Sequence, residues 1–271
     1  MSNTTLAKNS SPHRKLMTLA VVLCSSWGAG FTERNAHAQE PLSMNQAQSI
    51  TTKSAILETL TVRQQTIVPI AAFAAAGDIG SLNTALNQGL DGGLTINDAK
   101  EILVQLYAYA GFPRSLNALG ELMKVVEARK QRGVHDAMGS GPSAPIPKGD
   151  ALLAAGTANQ TKLSGAPVKG PLFDFAPAID EYLKSHLFGD IFERNNLDWQ
   201  SRELATVGML SSLPGAESQL QAHMRISMNV GLTAGQLRQV TEVLAERVSM
   251  DNARRAREAL DRQLATTAGA K

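Results

Sequence analysis

Glu203 and His223 are the residues whose types and spacing best suit catalysis. They lie in the stretch SRELATVGMLSSLPGAESQLQAHMRISMNVGLT, from Ser201 to Thr233, on two successive apolar patterns of helical period separated by a glycine break. An imidazole titrates near neutral pH and can return a proton to carbon, while a carboxylate beside it can orient the ring or set its charge. Arg202 and Arg225 could each hold a substrate carboxylate in a forked pair, and His186, three residues before Gly189, could reach a pocket from the preceding segment. A plainer reading stays open. A carboxylate near a helix start is favoured by the helix dipole without any function, and a lone histidine on an apolar helix is more often structural than catalytic.

Other chemistries are narrowed by what the sequence lacks. The one cysteine is Cys24, and it falls within residues 1 to 38, which read as an export signal: a basic start at His13, Arg14 and Lys15, an apolar run from Leu16 to Leu23, and Ala36-His37-Ala38 as the cleavage site. The apolar run is shorter than the roughly 20 residues a membrane span needs, so no membrane association is expected after cleavage. A periplasmic or secreted chain beginning at Gln39 would have no thiol nucleophile, thiolate ligand or disulfide. Cleavage also removes four of the 26 basic residues and one of the 24 acidic ones, leaving a near-neutral chain with no basic stripe for nucleic acid. No histidine spacing suits a metal, and Gly92-Gly93 and Gly139-Ser140-Gly141 lack the strand and lysine of a phosphate loop, so neither a metal site nor a phosphate loop is expected.

The elements that must position Glu203 and His223 read as helices throughout. Thr61-x-x-Gln64 and Thr233-x-x-Gln236 are capping-box patterns and Thr95 with Asp98 is close to one. Gly77, Gly93, Gly111, Gly215 and Gly231 fall where periodic segments break, and Pro69 is expected to kink or divide its helix. The stretch from Arg63 to Thr95 repeats the order of Arg202 to Thr233, down to a shared Gly-Leu-Thr, which places Gln64 opposite Glu203 and Ala85 opposite His223. The organisation expected is a signal over 1–38, a first helical module over 39–132, a Gly/Pro-rich linker over 133–172 with a short helical turn near Leu152, and a second module over 173–271 opening on an amphipathic helix from Phe173 to Phe188. Tyr107 and Tyr109 of the first module could offer hydroxyls to a site in the second.

Arg202-Glu203-Leu204 in an Ala-rich helix, Leu220-x-x-His223-x-x-x-x-Met228-Asn229-x-Gly231-Leu232-Thr233 and the leucine-rich helix beyond resemble the carboxymuconolactone decarboxylase family, which shares the alkylhydroperoxidase D-like fold. In the first copy Leu106-Tyr107-Ala108-Tyr109-Ala110-Gly111-Phe112-Pro113 resembles the later part of the same pattern. The resemblance implies an all-α chain of two fused helical modules that assembles as a homo-oligomer, a trimer of fused chains standing in for a hexamer of single modules. It implies cofactor-free acid/base chemistry, without metal or organic cofactor, on a small carboxylated lactone or keto compound, with His223 and Glu203 catalytic and Arg202 or Arg225 holding a substrate carboxylate; His186 is a further substrate-binding candidate from its position alone. The peroxidase branch of the superfamily uses Cys-x-x-Cys-x-x-x-His; projected back from His223, its cysteines fall on Gln219 and Ala216, so a thiol mechanism is disfavoured. The rival expectation is a non-catalytic oligomeric binding or scaffold protein of the same fold.

Overall fold

The computed structural model describes residues 59–269; the expected export signal and the start of the first expected module lie outside the described residues. Every regular element among the described residues is helical, as expected. Four helices come first: α1 (Val62–Ala76), α2 (Ile79–Asp91), α3 (Ile96–Gln105) and α4 (Tyr107–Gln131). After α5 (Asp150–Ser164) and the short α6 (Pro171–Phe175) and α7 (Pro177–Tyr182), a π-helical segment runs from Leu183 to Ile191. Four more helices follow: α8 (Trp199–Ser211), α9 (Glu217–Asn229), α10 (Ala234–Arg247) and α11 (Met250–Gly269). None of the described helices is long and apolar enough to cross a membrane.

Local chemistry sets these boundaries. Thr61, Thr95 and Thr233 each accept a hydrogen bond from the backbone N–H three residues on, and Gln64, Asp98 and Gln236 each reach back to the cap, completing three capping boxes. Gly111, with φ of 81°, bends α4 near its start, since this left-handed backbone is open to glycine and strained for other residues. Pro69 departs from expectation, because α1 runs through it as one helix. A proline removes one backbone hydrogen bond, and here it lies buried in an alanine-rich helix that packs along α8.

The main core is the contact of α1 with α8, flanked by α2 to α4 on one side and α9 to α11 on the other. The two central helices approach closely because small residues face each other: a Cβ on Gly208 would stand 2.7 Å from the Val68 carbonyl oxygen and 3.1 Å from Ala71 Cβ. A smaller core of Leu163, Leu187, Phe188, Ile191, Phe192 and Ile226 joins α5 and the π segment to α9.

Two segments differ from their sequence reading. The region around Leu152 is a 15-residue helix rather than a short turn. The helix expected from Phe173 to Phe188 is interrupted at Ala176, before Pro177, and continues as the π segment. Its aromatics divide accordingly: Phe188 is buried, while Phe175 is 89% exposed.

Helix α5 docks through Gly156, where a Cβ would lie 1.8 Å from the Lys184 carbonyl oxygen and 2.9 Å from the Gly189 nitrogen. Alanine gains about 1 kcal/mol of helix propensity over glycine, but seating it here forces two backbones apart, an overpacking cost at the upper end of about 1–3 kcal/mol. Gly156→Ala is therefore expected to lower the melting temperature and to speed proteolysis within 150–164. Unchanged melting and proteolysis would show that α5 is not held by this crossing.

Candidate active site

Helix α8 begins at Asp198, whose carboxylate accepts from the Ser201 backbone N–H at 2.8 Å and the Ser201 hydroxyl at 2.9 Å. Glu203 is the fifth residue beyond that cap, past the first turn where the helix dipole would favour a carboxylate. Its side chain is fully buried. Helix α9 buries Leu220, Met224 and Ser227 on the face turned to the core and carries His223 among them. The two helices bring His223 Nδ1 to 2.7 Å from Glu203 Oε2, with the imidazole side chain 10% exposed and no partner for Nε2 among the described residues.

The pair has little other support. Glu203 Oε1 is buried without a hydrogen-bond donor. An undonated buried oxygen costs about 1–3 kcal/mol, so the negative charge of Glu203 is directed at one partner, His223. Tyr109, from α4, sets its ring edge-on to the imidazole, with centroids 5.7 Å apart and planes at 75°. Its hydroxyl lies 3.3 Å from Thr206 Oγ1. Burial, helped by the charge of Glu203, pushes the Tyr109 phenol well above its ordinary value, so it stays protonated. Tyr107 stacks on Phe112 at 4.6 Å and leaves Tyr109 as the tyrosine at the pair.

The three residues expected to bind substrate stand elsewhere. Arg202 is fully buried; its Nη2 donates to Glu101 Oε2 at 3.0 Å and to the Arg194 carbonyl at 2.9 Å, and its Nη1 to Gln105 Oε1 at 3.3 Å. Burial pulls the guanidinium below its ordinary value, partly offset by Glu101. Burial would raise Glu101, but hydrogen bonds from Arg194 and Arg202 outweigh it and hold the carboxyl below its usual range. Arg202 is thus a framework ion, not a free fork for substrate. Arg225 is exposed two residues past His223, a spacing that turns it to another face of α9. His186 is exposed on the π segment, with Nδ1 3.1 Å from Asp190 Oδ2.

The sequence reading missed the polar chain behind the pair. Gln105 Nε2 donates to Thr206 Oγ1 at 2.8 Å and to the Arg202 carbonyl at 3.0 Å, linking Glu101 and Arg202 to the Thr206–Tyr109 contact. The available signal was a glutamine closing an apolar helix and a threonine inside an alanine-rich one. The position opposite Glu203 also changes. Gln64 belongs to the Thr61 capping box, and counting from the caps Thr61 and Asp198 puts Thr66 where α8 has Glu203.

A cavity of about 950 Å³ lies between α3, α4, the segment around Met138 to Pro142 and the Arg194–Asn196 turn; Glu101 and Arg194 reach its wall, whereas Glu203 and His223 do not line it. Among the described residues no group of three or more His, Cys, Asp or Glu side chains could hold a metal ion. Among curated proteins, none matches the chain. From Pro177 to Arg262, however, through the π segment and α8 to α10 and most of α11, and so across both Glu203 and His223, residues 177–262 match the model of the carboxymuconolactone decarboxylase family.

Proposed function

We propose that this chain is a cofactor-free acid/base enzyme of the carboxymuconolactone decarboxylase kind, acting on a small carboxylated lactone or a related keto compound. The observation that carries this reading is the buried His223–Glu203 pair at 2.7 Å, inside the segment that matches the family model. In a decarboxylation the bond to the carboxylate carbon breaks, carbon dioxide leaves, and the electron pair is delocalised into the carbonyl as an enolate. His223 then delivers the proton from Nε2, and Glu203 stabilises the imidazolium through Nδ1. On the same reading the protein is exported, carries two fused modules and works as a homo-oligomer, with 62–131 and 199–269 as corresponding helix sets.

The test is turnover of a panel of lactone acids and keto acids by the wild-type protein and the His223→Gln/Glu203→Gln double variant. Release of carbon dioxide or rearrangement by the wild type alone supports the assignment. Equal rates in both sink it. A second reading, a non-catalytic binding or scaffold protein, is favoured by one observation: Arg202, Arg225 and His186 all stand away from the imidazole. It expects no turnover with any acid in the panel and unchanged assembly in the double variant.

A further inference from the structure

A cavity lined by the first helix set and by the end of α10 stands at the position that the His223 site occupies in the second set. Measured from the caps Thr61 and Asp198, Pro69 takes the place of Thr206; measured from Thr95 and Thr233, Ala85 takes the place of His223 and Arg247 that of Tyr109. Pro69, Ala85 and Arg247 line one cavity of about 330 Å³, together with Phe73, Gln88 and Glu246. Here the imidazole of one half is replaced by a methyl group, and space opens.

The lining gives that space a chemical preference. Pro69, Phe73 and Ala85 supply its apolar contacts, while Ser81, Thr84 and Gln88 line the same space with two hydroxyls and an amide. Arg247 ends α10 at the rim, where its Nη2 makes one long hydrogen bond, 3.4 Å, to Gln65 Oε1. Among the described residues its guanidinium is in no ion pair, and this single long hydrogen bond leaves it able to fork onto an incoming acid. Glu246 adds a negative charge to the same wall and disfavours a ligand with two. The volume sits at the lower end of the range for small-molecule pockets.

We propose that this cavity is a second binding site, distinct from the Glu203–His223 pair, for a small monocarboxylic acid whose apolar body rests on Pro69, Phe73 and Ala85 and whose carboxylate pairs with Arg247. The proposal does not depend on what reaction, if any, the pair performs.

Benzoate is the probe, with benzamide as its neutral analogue and phthalate as its dianion, titrated into the purified protein by ligand-observed NMR and calorimetry. Benzoate should bind at least about tenfold more tightly than either analogue, the cost of losing one well-placed charged contact. Arg247→Gln should weaken benzoate about tenfold and Arg247→Lys less, while His223→Gln leaves it unchanged. Arg247 is exposed, so these changes do not disturb the core. Equal binding of benzoate and benzamide, absence of binding at millimolar benzoate, persistence in Arg247→Gln, or any dependence on His223 would each overturn the proposal.

Discussion

Replacing Glu203 with glutamine lowers turnover by about two to four orders of magnitude on the proposed mechanism, with little change in KM. The range is that of general acid/base catalysis, and at about 1.4 kcal/mol per tenfold it corresponds to roughly 3–5 kcal/mol of transition-state stabilisation. The reasoning starts from geometry. Glu203 is fully buried and accepts through one oxygen from His223 Nδ1, while its other oxygen has no donor, so its charge acts chiefly on the imidazole. Glutamine has the same shape but no charge, and its amide can present an N–H to Nδ1, which holds the ring neutral with its proton on Nε2, a far weaker acid than the imidazolium that Glu203 stabilises. Substrate contacts are untouched, which confines the effect to kcat. A purely structural role predicts a different outcome: relief of a buried, half-satisfied carboxylate, hence an equal or higher melting temperature with kcat intact. Steady-state kinetics and a thermal melt on the same preparation separate the two, and an undiminished kcat would refute a catalytic role for the carboxylate.

The contrast between what the chain shows as sequence and as structure follows from the range of the forces involved. Helix starts at Thr61, Thr95 and Thr233 were legible because a capping box is completed within four residues. The juxtaposition of Glu203 and His223 was legible only as two helices carrying the right residues; their 2.7 Å contact depends on how α8 and α9 cross. The committed state of Arg202 was not legible, since Glu101 lies 101 residues away and the pairing depends on α3 packing against α8. Helix α5 was masked by its surroundings. The glycines and prolines flanking it read as a connection, and Gly156, which a local reading counts against a helix, is what lets α5 approach the π segment. The shift from Gln64 to Thr66 has a similar origin. Matching Arg63 with Arg202 aligns residue types, whereas the caps align helices.

Arg202→Met is expected to cost about 3 kcal/mol of stability, the lower end for removing one partner of a buried ion pair. For a folded region of this size that corresponds to a fall in melting temperature of about 6–12 °C. The lower end applies because Glu101 keeps Arg194, at 2.6 Å, and because burial already disfavours the Arg202 charge. The loss is still large, since the Arg194 carbonyl and Gln105 Oε1 also lose their Arg202 donors. Protonation supplies an independent check. Glu101 is held below its ordinary value of 4.5, so its contribution to stability is fully present above that pH and is lost as pH falls through its folded value. Without Arg202 the depression shrinks, so the stability gap between wild type and variant should be widest near neutral pH and narrow as the solution is acidified below about pH 4.5. The double variant Arg202→Met/Glu101→Leu removes the buried carboxylate that has lost one of its two partners and should recover part of the loss, because Arg194 remains partly open to water. Denaturant titrations of the three proteins across pH measure both effects. A pH-independent gap, or a double variant no better than the single one, would mean that Arg202 stabilises the fold by packing against Phe192, 5.9 Å from its guanidinium, and not by its charge.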